Sequence, residues 1–253
     1  MLCIRAPLRA EKSNPMLETK ASLFPCLATI TMVLFFSIGA SLAADSNKDQ
    51  SDVAKRLADS SKVLDEVMAN PSKAIPDGII HRASCLAIFP STVQVAVLAG
   101  AKHGKGFATC RTANGWSAPA PLDISGGSWG AQLGGQEVDL VLVVTDDKGK
   151  AQLQSGQVKM GIEASVAAGP VGQHAATMTT SADILSYSRA KGVFAGMNLN
   201  GSAITEDKGD ARNLYGSPMP LADIFAGKAQ PPEAGRAFLN EVQKYAGQSK
   251  PGD

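Results

Sequence analysis

Three groups of residues in this chain have the types and spacing to do chemistry. The first is Gly126-Gly127-Ser128-Trp129-Gly130, a G-x-S-x-G pattern followed in chain order by Asp139 or Asp146 and then by His174. That is the order in which an α/β-hydrolase carries its nucleophile, acid and base. A nucleophile elbow needs an apolar strand before its serine and a helix after it. Here Leu122 to Ser125 is weakly apolar and Gly134-Gly135 breaks a helix, so the chain reads as non-enzymatic, with no catalytic residue. The second group is Gly100-Ala101-Lys102-His103-Gly104-Lys105-Gly106, which superficially matches a phosphate loop. It is too short before Gly104-Lys105, ends in glycine rather than Ser or Thr, and runs into a strand. A hairpin turn is the expected role. Lys102, His103 and Lys105, with Arg111 one strand further on, can still present a small basic patch to lipid phosphates; a solvated hairpin tip is the other reading. The third group, His81, His103 and His174, lacks the pairing or carboxylate neighbours that a metal site requires, so neither metal nor cofactor is expected.

Charge and cysteine content narrow the partners. The chain has 24 Lys and Arg against 23 Asp and Glu, a net charge of +1. Lys20 precedes an apolar run from Leu23 to Ile38, and Ser41 and Ala43 sit where a signal peptidase reads small residues, so 1–43 is expected to be a cleaved secretory leader. A membrane anchor is the competing reading, but Pro25, Thr29 and Thr31 interrupt a run that is short for a spanning helix. The start is either Met1 or Met16. Removing the leader leaves a net charge of −1, which argues against nucleic acid as a partner. The expected location is periplasmic or secreted. Cys85 and Cys110 remain after cleavage, each in a short strand-like run, and an oxidising compartment lets them pair. Two buried thiols are the alternative.

Elements must position these groups. After a polar linker over 44–50, Ser51 to Ala69 reads as an amphipathic helix, with Val53, Leu57, Leu64, Val67 and Met68 on one narrow arc and Asn70-Pro71 as its stop. Its polar face mixes Lys55, Arg56 and Lys62 with Asp52, Asp59, Asp65 and Glu66, in the helix-neighbour pairs of a solvated surface. Docking on a core and laying Val53, Leu57, Leu64 and Met68 into a membrane both remain open, although a lipid-inserting helix is expected to be more basic. Pro76 to Ala83 suggests a helical turn. The strand candidates are Cys85 to Phe89, Val93 to Ala99, Gly106 to Thr112, Gly130 to Gln132, Val138 to Val144 and Val193 to Ile204. Val138 to Val144 is apolar on both faces, and the glycines from Gly126 to Gly135 predict bent or closely packed strand before it. Asp146 to Gly149 reads as a turn, with Ala151 to Gly156 a helical turn or short strand. Leu221 to Ala226 is a short helix closed by Gly227, and Pro231-Pro232 opens a final helix with Phe238, Val242 and Tyr245 on one face. The predicted fold class is α+β: a mostly antiparallel sheet core, barrel- or sandwich-like, with an N-terminal amphipathic helix and a C-terminal helix. One domain is expected over 51–247, with a tail over 248–253.

Five motifs in order carry a family resemblance: Gly115 to Pro119 (GWSAP), the glycine-rich run ending in VDLVLVV, Val166 to Gly172 (VAAGPVG), Ser186 to Gly196 (SYSRAKGVFAG) and Asn213 to Gly216 (NLYG). From about Ser84 to Gly227 the chain resembles the SYLF domain family. The resemblance implies lipid binding, with actin binding in eukaryotic members, and a single domain with an amphipathic helix before a β-rich core. For an exported chain it implies a lipid-facing protein of the bacterial cell envelope that binds anionic phospholipid. Lys102, His103, Lys105 and Arg111, joined by Arg189 and Lys191, would face phosphates, and the first helix would add apolar contact. The alternative is a structural or protein-interaction domain with an envelope protein as partner.

Overall fold

Val138 to Val144 is apolar at every position but Asp139, and a strand of that kind needs a core on each side. The computed structural model of the chain supplies both. It describes residues 47–96, 99–129, 134–172, 182–190, 193–194 and 197–247; the expected leader and tail, Lys191 and His174 lie outside these. Ten strands form one sheet: β1 (Cys85–Ala96), β2 (Ala99–Thr112), β3 (Gly115–Trp116), β4 (Ala120–Trp129), β5 (Gly134–Val144), β6 (Gln157–Lys159), β7 (Val166–Ala168), β8 (Ile184–Ala190), β9 (Val193–Phe194) and β10 (Ser202–Glu206). Their order is β6-β10-β4-β2-β1-β5-β8-β7, with β3 on β2 and β9 on β8. Every pairing is antiparallel except β7 with β8. The fold is α+β, with the sheet curled into a half barrel.

The sheet separates two cores. On its inner face Cys85, Ala87 and Phe89 of β1, Leu122 and Ile124 of β4, Leu140, Leu142 and Val144 of β5 and Ile204 of β10 gather in one cluster. Leu153 of α3 (Asp147–Gln154) and Leu221, Ile224 and Phe225 of α5 (Leu221–Phe225) close it. On the outer face Leu86, Ile88, Phe107, Val141, Val143, Leu185 and Tyr187 meet three helices: α1 (47–68), α2 (Asp77–Ile80) and α6 (Arg236–Ala246). Val53, Leu57, Val63, Leu64 and Val67 of α1 and Phe238, Leu239 and Val242 of α6 are buried there. A fully buried aliphatic side chain contributes roughly 1.5–3 kcal/mol, so α1 is held by its apolar arc in the core.

Several expectations change. The linker expected over 44–50 is helical from 47 onward. Gly100 to Gly106 is no hairpin turn but part of β2, the longest strand, and the two expected strands over 85–99 are one continuous β1 as far as Ala96. Cys85 and Cys110, expected to flank an intervening strand, stand directly opposite each other on neighbouring strands and are disulfide-bonded. Asp146 to Gly149 is a helix start rather than a turn: the Asp146 side chain accepts from the Gly149 N–H at 2.8 Å and caps α3. β4, β8 and α4 (Lys208–Tyr215) were not among the expected elements. The Val193 to Ile204 strand is divided into β9 and β10, and Gly130 to Gln132 lies outside the described residues.

Candidate functional site

The basic residues singled out from the sequence are placed by two strands, Lys102, His103, Lys105 and Arg111 by β2 and Arg189 by β8, and do not form one patch. Arg111 is 7% exposed. Its guanidinium donates to the carbonyls of Ala83 (2.7 Å), His81 (3.0 Å), Ala246 (2.6 Å) and Gly247 (3.3 Å) and lies over the Trp116 ring. It therefore satisfies the last carbonyls of α6, where a cation suits the helix dipole, and faces no solvent phosphate. Lys105 points to the outer face and pairs with Asp207 and, at 3.4 Å, with Asp210. Burial opposes its charge, but the two carboxylates outweigh it and hold its pKa above the ordinary lysine value. Arg189 on β8 pairs with Glu66 of α1 and, at 3.4 Å, with Asp139 of β5. Lys102 points the other way, into the inner face, where it is 3% exposed and donates to the carbonyl of Asn198. Only His103 among the described five is exposed. The membrane-contact residues expected on α1 are likewise turned inward: Val53, Leu57 and Leu64 are buried and Met68 is packed against the same core. The physical reason is common to all of them: acceptors and apolar partners for these side chains come from parts of the chain distant in sequence.

Those pairs fasten α1 to the sheet on both sides of β1. Arg56 of α1 pairs with Asp210 of α4 on the β2 side, and Glu66 pairs with Arg189 on the β5 side. Farther along, Asp65 accepts from Lys244 (2.8 Å) and from the Tyr245 hydroxyl (2.6 Å) of α6. The Lys244 hydrogen bond, with that of Tyr245, holds the Asp65 carboxyl at about 2. Between the two sheet anchors lies a bulge in β1 at Pro90-Ser91, where the pairing register shifts against both neighbours. Ser91 has φ 51°, the one positive value outside glycine among the described residues, and its N–H donates to Asp139 Oδ1 at 3.1 Å.

Beyond the bulge the outer face is left uncovered. Two rows cross four strands there: Ser125, His103, Val93 and Glu137, then Gly127, Ala101, Val95 and Gly135. All eight are exposed. Val93 is 44% and Val95 49% exposed, and the second row carries no polar side chain. The first half of α1 borders this platform, with Asp52, Lys55, Arg56 and Asp59 lining a cleft of about 410 Å³ against Pro90, Ser91, Val93 and His103. Sequence reasoning did not mark Val93 and Val95 as surface; the exposure follows from the bulge, which no local pattern announces.

The catalytic patterns dissolve in this setting. Ser128 lies inside β4, which runs from Ala120 to Trp129, so it stands on no strand-to-helix turn. Asp139 is engaged with Ser91 and Arg189. No group of His, Cys, Asp and Glu with metal-binding geometry occurs among the described residues. Among them, too, no helix is long and apolar enough to cross a membrane. Trp116, buried and bonded through Nε1 to the Gly247 carbonyl at 2.7 Å, joins β3 to the end of α6.

Comparison with known proteins places this architecture. The Ysc84 family profile, described as "Las17-binding protein actin regulator", matches residues 125–245, from the end of β4 to the last turn of α6. LAS seventeen-binding protein 3 of Saccharomyces cerevisiae is 30% identical over 186 residues, covering 71% of this chain and 40% of that protein. SH3 domain-containing YSC84-like protein 1 of Homo sapiens is 31% identical over 186 residues, covering 71% of this chain and 54% of that protein. The chain belongs to the SYLF (Ysc84) family. It spans about half the length of the curated relatives it matches. Within the SYLF domain, the SYSR segment is the part of β8 that supplies Tyr187 to the outer core and Arg189 to the α1 anchor. The VDLVLVV segment is the two-sided centre of β5, and the NLYG segment ends α4, with Gly216 at φ 72° as its left-handed cap.

Proposed function

We propose that this SYLF domain is a non-enzymatic lipid-binding module of the bacterial cell envelope, meeting the lipid surface with the uncovered end of its outer sheet face. The observation that carries the reading is the pair Val93 and Val95, half-exposed on a four-strand platform next to the start of α1, while the rest of that face is closed by helices. Apolar side chains left out of an otherwise covered face mark a docking surface. The leader-like segment before α1 supports a place in the envelope. Full burial of an aliphatic side chain contributes roughly 1.5–3 kcal/mol, so two half-exposed valines add about 1.5–3 kcal/mol between them. The contact is weak and reversible, and it differs from electrostatic adsorption because Lys102, Lys105, Arg111 and Arg189 are engaged internally.

Co-sedimentation of the chain from Ala44 onward with phosphatidylglycerol and phosphatidylcholine vesicles, at low and high salt, tests this. Binding that survives high salt and falls about tenfold in a Val93→Asp, Val95→Asp variant is the expected result. Binding unchanged by that variant removes the platform from the account. A second reading, a protein partner on the same platform, is favoured by the family description, which refers to Las17 binding and actin regulation, and by the name of the yeast relative. Absence of binding to either vesicle makes it the leading one.

A further inference from the structure

The inner face at the same end of the sheet carries a polar row in an otherwise apolar surface. Reading across the strands, Ser202 of β10, Gly126 of β4, Lys102 of β2, Gln94 of β1 and Gln136 of β5 stand in register. The next row inward is Ile204, Ile124, Gly104, Thr92 and Val138. We infer that Lys102 and Ser202 form a binding site for a phosphoryl oxyanion, whether free or on a lipid headgroup.

Two unmet requirements converge there. A buried ammonium ordinarily has a carboxylate partner, because burial without one is costly. Among the described residues Lys102 has none, and its acceptor there is the neutral carbonyl of Asn198, so two of its three N–H donors have no partner among those residues. Burial lowers its pKa, as an uncompensated charge requires. Independently, Ser202 is 1% exposed and its Oγ has no hydrogen-bond partner among the described residues. Unbonded donors on two strands that flank the same glycine suit one acceptor-rich ligand, and a phosphoryl group offers three oxygens. Gly126 lets Ser202 pack close against β4: a Cβ there would stand 2.7 Å from Ser202 Oγ and 2.8 Å from its Cα. Exposure rises along the row from Lys102 through half-buried Gln94 to exposed Gln136, so the β5 end is the side from which a ligand approaches. A tetrahedral anion entering there replaces the Asn198 carbonyl as acceptor and takes the Ser202 proton donor.

The test is an amide and lysine side-chain NMR titration of the full chain with inorganic phosphate and with glycerol 3-phosphate, against chloride at equal ionic strength. Saturable shifts at Lys102, Gly126 and Ser202 with phosphate but not chloride are expected. Lys102→Met should weaken binding at least tenfold, and Ser202→Ala about threefold. Vesicle binding then separates the sources. Loss of phosphatidylglycerol binding in Lys102→Met assigns the headgroup, whereas unchanged vesicle binding with lost phosphate binding assigns a free anion; both support the site. The vesicle result with Val93 and Val95 replaced is independent, so the platform and the oxyanion site can fail separately. Shifts reproduced by chloride, absent with both phosphates, or retained in both variants overturn the proposal. If Lys102→Met does not fold, Ser202→Ala decides alone.

Discussion

Arg189 of β8 and Glu66 of α1, separated by 123 positions, form an ion pair that joins the sheet to the helix lying across it. Arg189 is mostly buried, and burial opposes its charge, but Glu66 and Asp139 outweigh that and raise its pKa. The Arg189 hydrogen bond correspondingly depresses the Glu66 pKa. Replacing Arg189 with Met leaves Asp139 without this cation and Glu66 with only the exposed Lys62, 3.6 Å away. Hydrogen bonds to charged groups are worth about 1.5–3 kcal/mol, and Glu66 is partly screened by solvent, so a loss of about 2 kcal/mol is expected in urea denaturation, with Glu66→Gln costing about half. Hydrogen exchange should quicken in 47–68. Equal stability of wild type and Arg189→Met would mean that apolar packing alone holds α1.

The Cys85–Cys110 disulfide closes a 25-residue separation and lies wholly within the inner core. Its removal by a double alanine substitution should cost about 3 kcal/mol, through the loop entropy returned to the unfolded chain. That corresponds to a fall in Tm of about 6–12 °C for a domain of this size. Because both sulfurs are buried, reductant should act on the native protein only as fast as it opens. Rapid reduction of the folded chain would show that β1 and β2 separate locally.

Acid should weaken the fold through Asp183. Burial opposes its ionisation, but the Ser165 N–H and hydroxyl and the Lys148 ammonium outweigh that and hold it at about 2. Its folded value lies below its unfolded value of about 3.9. The stability it adds is therefore complete above the unfolded value and is lost as pH falls through about 4 toward 2. Asp183→Asn should flatten that limb of a stability-against-pH curve. An unchanged limb would assign the acid sensitivity to other carboxyls.

Asp123 should behave in the opposite sense. It faces Lys105 across β2 and β4, yet its Oδ1 is buried without a partner, and burial first and then Asp207 push its pKa up. A folded value above the unfolded one means that ionisation costs the native state stability at neutral pH. Asp123→Asn is expected to raise Tm at pH 7 by about 2–4 °C, the shift that about 1 kcal/mol produces, and to have no such effect near pH 3. A fall at pH 7 would show that Asp123 supports Lys105.

Ser91 sits in the left-handed region, which costs an L-residue roughly 1–2 kcal/mol and glycine nothing. Ser91→Gly should be neutral or stabilising by up to about 1 kcal/mol, allowing for the freer unfolded chain, while Ser91→Val should destabilise. The reverse order in urea midpoints would place the bulge elsewhere.

What the sequence discloses depends on how local each determinant is. The two-sided apolar run of β5 was legible because Leu140 and Val141 each need a core. The apolar arc of α1 was legible too, but its use was not, since Leu57 and Leu64 suit a core and a membrane equally. β4 alternates polar Asp123 and Ser125 with apolar Leu122 and Ile124 as a half-buried strand does, but the run is short, opens on Pro121 and passes into two glycines, which weakens the signal. α4 offers little apolar periodicity; Asp207, whose side chain accepts from the Asp210 N–H at 2.9 Å, and the Gly216 cap were the available signals. The basic patch failed because its members take different faces and partners: Lys102 goes in, His103 and Lys105 go out, and Arg111 is held by the carbonyls of Ala83 and Ala246. The partners of Lys105 lie about a hundred residues later, at Asp207 and Asp210.

The single extra residue at the β1 bulge swaps odd for even along the rest of the strand. Before it, Cys85, Ala87 and Phe89 fill the inner core. After it, Thr92 and Gln94 take that side, and Val93 and Val95, which an unbroken count would have buried beside Phe89, turn outward. The domain thus writes an interior and an exterior in one alternating alphabet and separates them by length alone. Drawing Pro90 and Ser91 into regular pairing with no residue removed would exchange the two surfaces while leaving every letter beyond them unchanged; deleting one of the two would not.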